Sequence, residues 1–358
     1  MAMEGKGLFF GHGTHSIEED AIVLVKHALK LSSADGRGDS LDISNHYDTV
    51  LNDEQWAAVG AAVQQRVQQR LPSAYITGEA WLGGLPFHVS KDVIVPRSFI
   101  MEVLTDTVPR RGAKKQQQQQ EEQQEAAAVD SDASDGDHND HDNGRDATAA
   151  GTRDPNDPHH IPSTLQRWLG RHQVTRALDM CTGSGCLAVL LARAFPAATI
   201  DAVDVSPEAL ALARRNIERH NLGHRIETHL SDMFAAPSLH GRQYDLIVAN
   251  PPYVASSERE SLPAEFQHEP DIALFGSGLS GLGHIDRLVR EAPDFLHKRG
   301  VLICEAAERR KDLHARHPAL RLQWLRTSAG YDRVFLATAR WLQSYRRQSA
   351  LAAFTHRR

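Results

Sequence analysis

Four consecutive residues, Asn250, Pro251, Pro252 and Tyr253, place a carboxamide, two stiff imino acids and a phenol directly after the apolar run Tyr244 to Ala249. That run reads as a buried strand. Neither proline can donate to a ladder and each disfavours the α region for its predecessor, so the strand has to stop at Asn250. The turn that follows presents an amide side chain, backbone carbonyls and an aromatic face at the carboxyl edge of a sheet, where open α/β proteins bind ligands. The chemistry open to such groups is to accept the N–H bonds of a planar amide or amine. Taken alone, the same tetrapeptide is also an ordinary strand-ending turn.

A second constellation lies upstream. Gly183-x-Gly185-x-x-Ala188 follows a strand-like run ending Asp179-Met180, and Asp204 stands about 20 residues on, the spacing of a dinucleotide fingerprint. The loop Cys181-Thr182-Gly183-Ser184-Gly185 lets backbone approach a ligand closely and aims helix-start amides at an anion, either a pyrophosphate or the carboxylate of S-adenosylmethionine. Asp204 suits ribose hydroxyls in both cases, so this loop by itself leaves NAD and S-adenosylmethionine open. Asp232 beside Met233 suits an adenine amino group in an apolar slot, and Asn250 to Tyr253 offers no hydride-transfer role. The balance therefore moves to S-adenosylmethionine. As plainer alternatives, Asp179 caps a helix or bonds its loop, Asp232 caps a helix, and Cys181 and Cys186 are small packing residues.

The elements that must position these groups alternate. Strands are expected at Val174 to Met180, Thr199 to Asp204, Ile226 to Leu230, Tyr244 to Ala249 and Gly300 to Glu305, with helices from Cys186 to Phe195 and from Pro207 to His220. Two late runs, Leu322 to Arg326 and Val334 to Thr338, would close an antiparallel edge. Such alternation implies a doubly wound, mostly parallel sheet in residues 161–341. Residues 1–76 read as a small helical domain. Its first helix is capped by Ser16, and its second, from Asn52 or Asp53 to Leu71, packs a stripe of Trp56, Val59, Val63 and Val67. Residues 77–109 read as a hairpin about Gly83-Gly84, an extended piece ending at Pro96-Arg97, and a linker helix. Arg97 has a carboxylate or solvent as its two options, and solvent is favoured. Residues 342–358 form a basic tail.

From Arg110 to His160 the chain turns to Gln, Glu, Ala and Asp/His/Asn/Gly tracts that bury nothing, so 110–160 is expected to be a disordered insertion. His138 and His141 among aspartates offer at most a weak metal site, with solvated linker the favoured reading. A calcium loop about Gly136 is not satisfied, because Ala133 stands where an acid is wanted. The insertion holds 6 basic and 12 acidic residues of the chain's 40 and 46, which leaves 34 of each sign elsewhere. A balanced surface argues against a general nucleic-acid grip, which needs basic groups to displace counterions. No run is long enough to span a bilayer, the first residues lack a secretory pattern, and Cys181, Cys186 and Cys304 have no paired spacing, so a reducing cytoplasmic setting is expected.

With Asp179-Met-Cys-Thr-Gly-Ser-Gly-Cys186, Asp204-Val-Ser-Pro207, Ser231-Asp232 and Asn250-Pro-Pro-Tyr-Val254, the chain resembles the class I (Rossmann-like) methyltransferases that modify the side-chain nitrogen (N5) of protein glutamine. Phe10-Gly-His-Gly-Thr14, Thr77-Gly-Glu-Ala-Trp81, Val95-Pro-Arg-Ser98 and Glu265-Phe-Gln-His-Glu-Pro270 are similar to the branch acting on a large-subunit ribosomal protein (L-three). Ser280 stands where that family carries an acid, and Ala329-Gly-Tyr-Asp-Arg333 departs from its glycine-rich turn. The resemblance implies catalysis by Asn250, Pro251 and Tyr253 and substrate binding by Asn250, Pro251, Pro252 and Tyr253. It implies cofactor binding by Asp179, Cys181, Thr182, Gly183, Ser184, Gly185, Asp204, Asp232, Met233 and Asn250, with no metal. Peptide release factors are the sibling substrate. Adenine or cytosine amino methylation of nucleic acid is a further class, since a flipped base presents a similar conjugated nitrogen. A noncatalytic binding module is the third, and requires that cofactor binding be absent.

Overall fold

The computed structural model describes residues 3–31, 48, 50–106, 162–170 and 172–355. The insertion expected at 110–160, with His138 and His141, lies outside the described residues.

Helix α1 (Ile17–Ala28) starts where Ser16 accepts a hydrogen bond from the Glu19 N–H, with three acids in its first turn to meet the helix dipole. Helix α2 (Asp53–Gln68) opens on a capping box between Asn52 and Gln55. The stripe expected to pack on α1 is rotated. Trp56 is 62% exposed, whereas Val59, Ala62 and Arg66 are buried, because the Arg66 guanidinium reaches Asp20 of α1. After α3 (Ser73–Thr77), strands β1 (Glu79–Leu82) and β2 (Leu85–His88) pair antiparallel about Gly83 and Gly84, and α4 (Ile100–Thr105) follows.

Beyond α5 (Ser163–Leu169) the chain builds a seven-stranded sheet from β3 (Arg176–Met180), β4 (Thr199–Asp204), β5 (Ile226–Leu230), β6 (Tyr244–Ala249), β7 (Leu296–Glu305), β8 (Gln323–Thr327) and β9 (Gly330–Thr338). The spatial order is β5-β4-β3-β6-β7-β9-β8; β3 to β7 run parallel, and β8 and β9 form the antiparallel edge. Crossovers α6 (Cys186–Ala194), α7 (Pro207–Arg219) and α8 (Gly283–Phe295) cover the two faces. Strand alternation sorts the core. Leu246 and Val248 join α6 on one face, while Ile247 and Ala249 meet Ile285, Leu288 and Val289 of α8 on the other. Fully apolar parallel strands follow from having both faces buried.

The segment from 342 expected as a basic tail continues a helix over its described residues. Residues Ala339–Thr355 form a helix, α9, whose Leu342 is fully buried and whose Tyr345 hydroxyl lies 2.6 Å from His317 Nδ1. Those two side chains recur three residues apart, one helical face, and seal the second core layer.

Candidate active site

The carboxyl ends of β3, β4, β5 and β6 open into one pocket. Of the residues expected to bind a cofactor, Cys181, Gly183, Asp204, Asp232, Met233 and Asn250 line it, and so does Pro252. The loop after β3 is bent by left-handed backbone at Cys181, Gly183 and Gly185. A Cβ placed on Gly183 meets nothing within 4 Å, so the loop faces open space there. The Gly183 N–H donates to Asp204 Oδ2 at 2.8 Å and the Ser206 N–H to Oδ1 at 3.0 Å, which pins the acid at the strand end. Burial nonetheless raises the Asp204 carboxyl above its ordinary value.

Asp179, Thr182 and Ser184 lie beneath this loop and are buried. Thr182 Oγ1 donates to Asp179 Oδ2 at 2.5 Å, while Asp179 Oδ1 has no partner. Burial pushes the Asp179 carboxyl up to about 7. An orphaned buried acid oxygen under an open glycine loop fits a ligand that brings a cationic N–H donor, as the α-amino group of S-adenosylmethionine does. Asp232 differs: its side chain is 63% exposed and already pairs with Arg287 at 2.6 Å. Arg287, and Asp92 to Ile94, Ile272 and His284 on the pocket wall, gave no signal in the sequence beyond their types.

Asn250 leaves β6 with its Nδ2 donating to the Arg97 carbonyl at 3.4 Å, which turns the Oδ1 edge away from that carbonyl. Tyr253 is partly buried against the second core layer, its hydroxyl 3.5 Å from Glu305 Oε1, and burial raises its phenol. Backbone bonds also stitch the turn to the following loop: the Val254 N–H donates to the Leu274 carbonyl at 3.1 Å and the Gly276 N–H to the Val254 carbonyl at 3.0 Å. Position 276 must be glycine, because a Cβ there would stand 1.8 Å from the Gly281 carbonyl oxygen and 2.7 Å from that of Pro252.

Arg97, expected to be solvated, instead pairs with Glu269. Arg97 Nη2 donates to Glu269 Oε2 at 2.5 Å, Nη1 donates to Oε1, and the Val95 N–H also donates to Oε1 at 2.9 Å. Burial alone would raise the Glu269 carboxyl, but Arg97 and His12 hold it down, at about 2. Glu265, four residues earlier, is likewise a buried acceptor, taking hydrogen bonds from Arg66 Nη1 and from the Phe9 N–H, each at 2.9 Å. Motifs singled out at residues 10–14, 95–98 and 265–270 thus meet at one buried network beside the Asn250 turn.

Two clusters among the described residues bring metal-ligating types together, and neither lines the pocket: His172, Asp245 and His297, and Asp201, Glu227 and His229. Asp245 Oδ2 already accepts from the Thr175 N–H and hydroxyl and from the Arg176 N–H, and Arg242 bridges Asp201 and Glu227. Both serve the strand ends as they stand.

Comparison with known proteins adds the family. Residues 163–280 match the Methyltransferase small domain, and residues 3–78 match the PrmC N-terminal domain. A ribosomal protein uL3 glutamine methyltransferase from Neisseria gonorrhoeae is 36% identical over 334 residues, which is 93% of this chain and 89% of the relative. Its counterpart in Bordetella pertussis is 36% identical, covering 93% and 90%. That of Xanthomonas campestris pv. campestris is 33% identical, covering 94% and 87%. Likeness of this extent, spanning the helical region, the glycine loop and the Asn250 turn together, shows that the chain belongs to the ribosomal protein uL3 glutamine methyltransferase family.

Proposed function

We propose that the chain transfers the methyl group of S-adenosylmethionine to the side-chain nitrogen of a glutamine in ribosomal protein uL3. One observation carries this: the Asn250-Pro-Pro-Tyr253 turn stands at the rim of the pocket formed by the glycine loop and Asp204. An amide nitrogen is a poor nucleophile because its lone pair is delocalised, so the site has to orient it. Asn250 Oδ1 and the Pro251 carbonyl accept its two N–H groups, and Tyr253 flanks the carboxamide plane. The cofactor supplies an electrophilic methyl on a sulfonium centre. Asp179 Oδ1 and the 181–185 loop would hold its amino-acid end, Asp204 its ribose, and Asp232 with Met233 its adenine. The amide nitrogen that these residues orient would take that methyl, the thioether leaving with the bonding pair, and would shed one proton to water. This route needs no charged base and no metal.

Residues 1–76 are proposed as the region that meets the protein substrate, with residues 77–109 linking them to the methyltransferase domain at 161–341. The match of residues 3–78 to the PrmC N-terminal domain supports the first of these. A cytoplasmic location goes with this reading; no described helix is long and apolar enough to cross a membrane. The test is methyl-labelled S-adenosylmethionine with purified enzyme and, in parallel, uL3, a release factor and an oligonucleotide. Label on a uL3 glutamine is expected. Label on the release factor alone, or on the oligonucleotide, overturns the assignment.

A further inference from the structure

Beside the Asn250 turn stands a buried acid that the route above leaves unused. Glu305 is the last residue of β7, and β7 pairs with β6 so that Cys304 faces Ala249; Glu305 therefore stands next to Asn250 at the carboxyl edge. Its Oε2 accepts from Ser98 Oγ at 2.6 Å and from the Phe99 N–H at 2.9 Å, and its Oε1 lies 3.5 Å from the Tyr253 hydroxyl. Ser98 follows Arg97, whose carbonyl receives the Asn250 Nδ2 bond. One carboxylate thus touches both the segment that turns the Asn250 amide and the phenol that flanks it. With Glu305 only 4% exposed, water does not compete for these bonds.

We propose that Glu305 is a positioning residue for methyl transfer: its carboxylate locks the Arg97–Phe99 segment, and through it holds Asn250 Oδ1 toward the substrate nitrogen. This rests on the glutamine-methylation reading. An ionised carboxylate accepts from the Ser98 O–H, the Phe99 N–H and the Tyr253 O–H together, whereas a protonated one gives up an acceptor position and has to reverse its bond to a hydroxyl. Burial pushes the Glu305 carboxyl up to about 7, against the lowering by Ser98, the Phe99 N–H and Arg97. The ionisable groups around it are Arg97, itself neutralised by Glu269, Tyr253 from the turn, and Cys304 on its own strand; Arg333 of β9 acts on Tyr253. The accepting form grows as pH rises through that value, and kcat grows with it.

The experiment compares the full chain with its Glu305→Gln and Ser98→Ala variants in labelled methyl transfer to uL3 across the neutral pH range. In Glu305→Gln, kcat should fall roughly 10- to 100-fold, the scale of a misplaced reacting group, while KM for S-adenosylmethionine stays within about twofold. Its rising limb near neutrality should vanish, although Asp179, which titrates in the same range, is unchanged. Ser98→Ala removes one donor and keeps the acid, so it should lower kcat less and retain the limb. Glu305→Asp should recover some of the rate and restore the limb. Wild-type kcat and pH profile in Glu305→Gln overturn the proposal; if that variant does not fold, an unchanged kcat in Ser98→Ala does so. A wild-type enzyme that labels no uL3 glutamine in the same assay overturns the underlying reading instead.

Discussion

The cofactor pocket and the buried network beside the Asn250 turn are held by different forces. On the cofactor side, left-handed turns at Cys181, Gly183 and Gly185 and backbone N–H bonds to Asp204 shape the loop, with Asn216 Nδ2 donating to the Ser184 carbonyl at 2.8 Å. On the substrate side the partners are 172 to 256 positions apart: Arg97 with Glu269, Arg66 with Glu265, and the Phe9 N–H with Glu265. Local backbone geometry is as durable as the strand and helix that carry it. A buried ion pair is different, because removing one partner leaves an uncompensated charge. The first region should therefore fail by losing ligand, and the second by losing rate or fold.

The sharpest break is at Asn250. Asn250→Ala should lower kcat by about 100-fold or more while calorimetry shows S-adenosylmethionine binding retained, since an orienting acceptor in the transition state is what disappears. Equal loss of affinity and rate would merge the two regions. Next is Glu265→Ala, which takes the acceptor from Arg66 Nη1 and the Phe9 N–H and leaves Asp20 as the carboxylate paired with Arg66; it should cost about 1–3 kcal/mol in denaturant unfolding. A loss below about 1 kcal/mol would show that the network contributes little.

Acid should separate the regions further. The Glu269 carboxyl, at about 2, lies below its ordinary value, so its stabilisation is complete above the unfolded value and is lost as pH falls from there toward 2. Glu269→Gln should flatten that stretch of the stability curve. Asp179 has the opposite sign. With its carboxyl raised to about 7, stability is complete below the unfolded value and is lost as pH rises through neutrality. Asp179→Asn should then raise the Tm of the ligand-free protein above pH 7 while weakening S-adenosylmethionine binding; a lower Tm there would show the acid to be a structural anchor. The smallest effect belongs to removal of residues 112–156, whose composition buries nothing. Turnover should be unchanged, and a deletion variant without turnover refutes this.

What could be read beforehand follows the same division. The limits of β4 and β5, the stop at Asn250 and the glycine loop were legible because each constraint is local: a short apolar run between helical stretches, a missing proline donor, a positive φ. Arg66 was not. A helical wheel of α2 favours Trp56 for the core, and only Asp20 and Glu265, distant in the chain, reverse that choice. Arg97 was assigned to solvent for the same reason, since Glu269 is 172 positions away. Glu305 looked like the polar end of an apolar strand, and nothing nearby in sequence names Ser98 and Tyr253 as its company. The segment beyond 341 was read by its arginines, and Leu342 and Tyr345 decided its fate.

The contact at Gly276 has a consequence for substitution at the crest of its loop. Because the loop bonds Val254 through main chain, and its glycines at 276 and 281 pack on the backbone of Pro252 to Ala255, the corner does not depend on the side chain the loop displays at its crest, where Leu279 is 99% exposed. Substitution at Leu279 or Ser280 should therefore leave the position of Asn250, and with it kcat, unchanged.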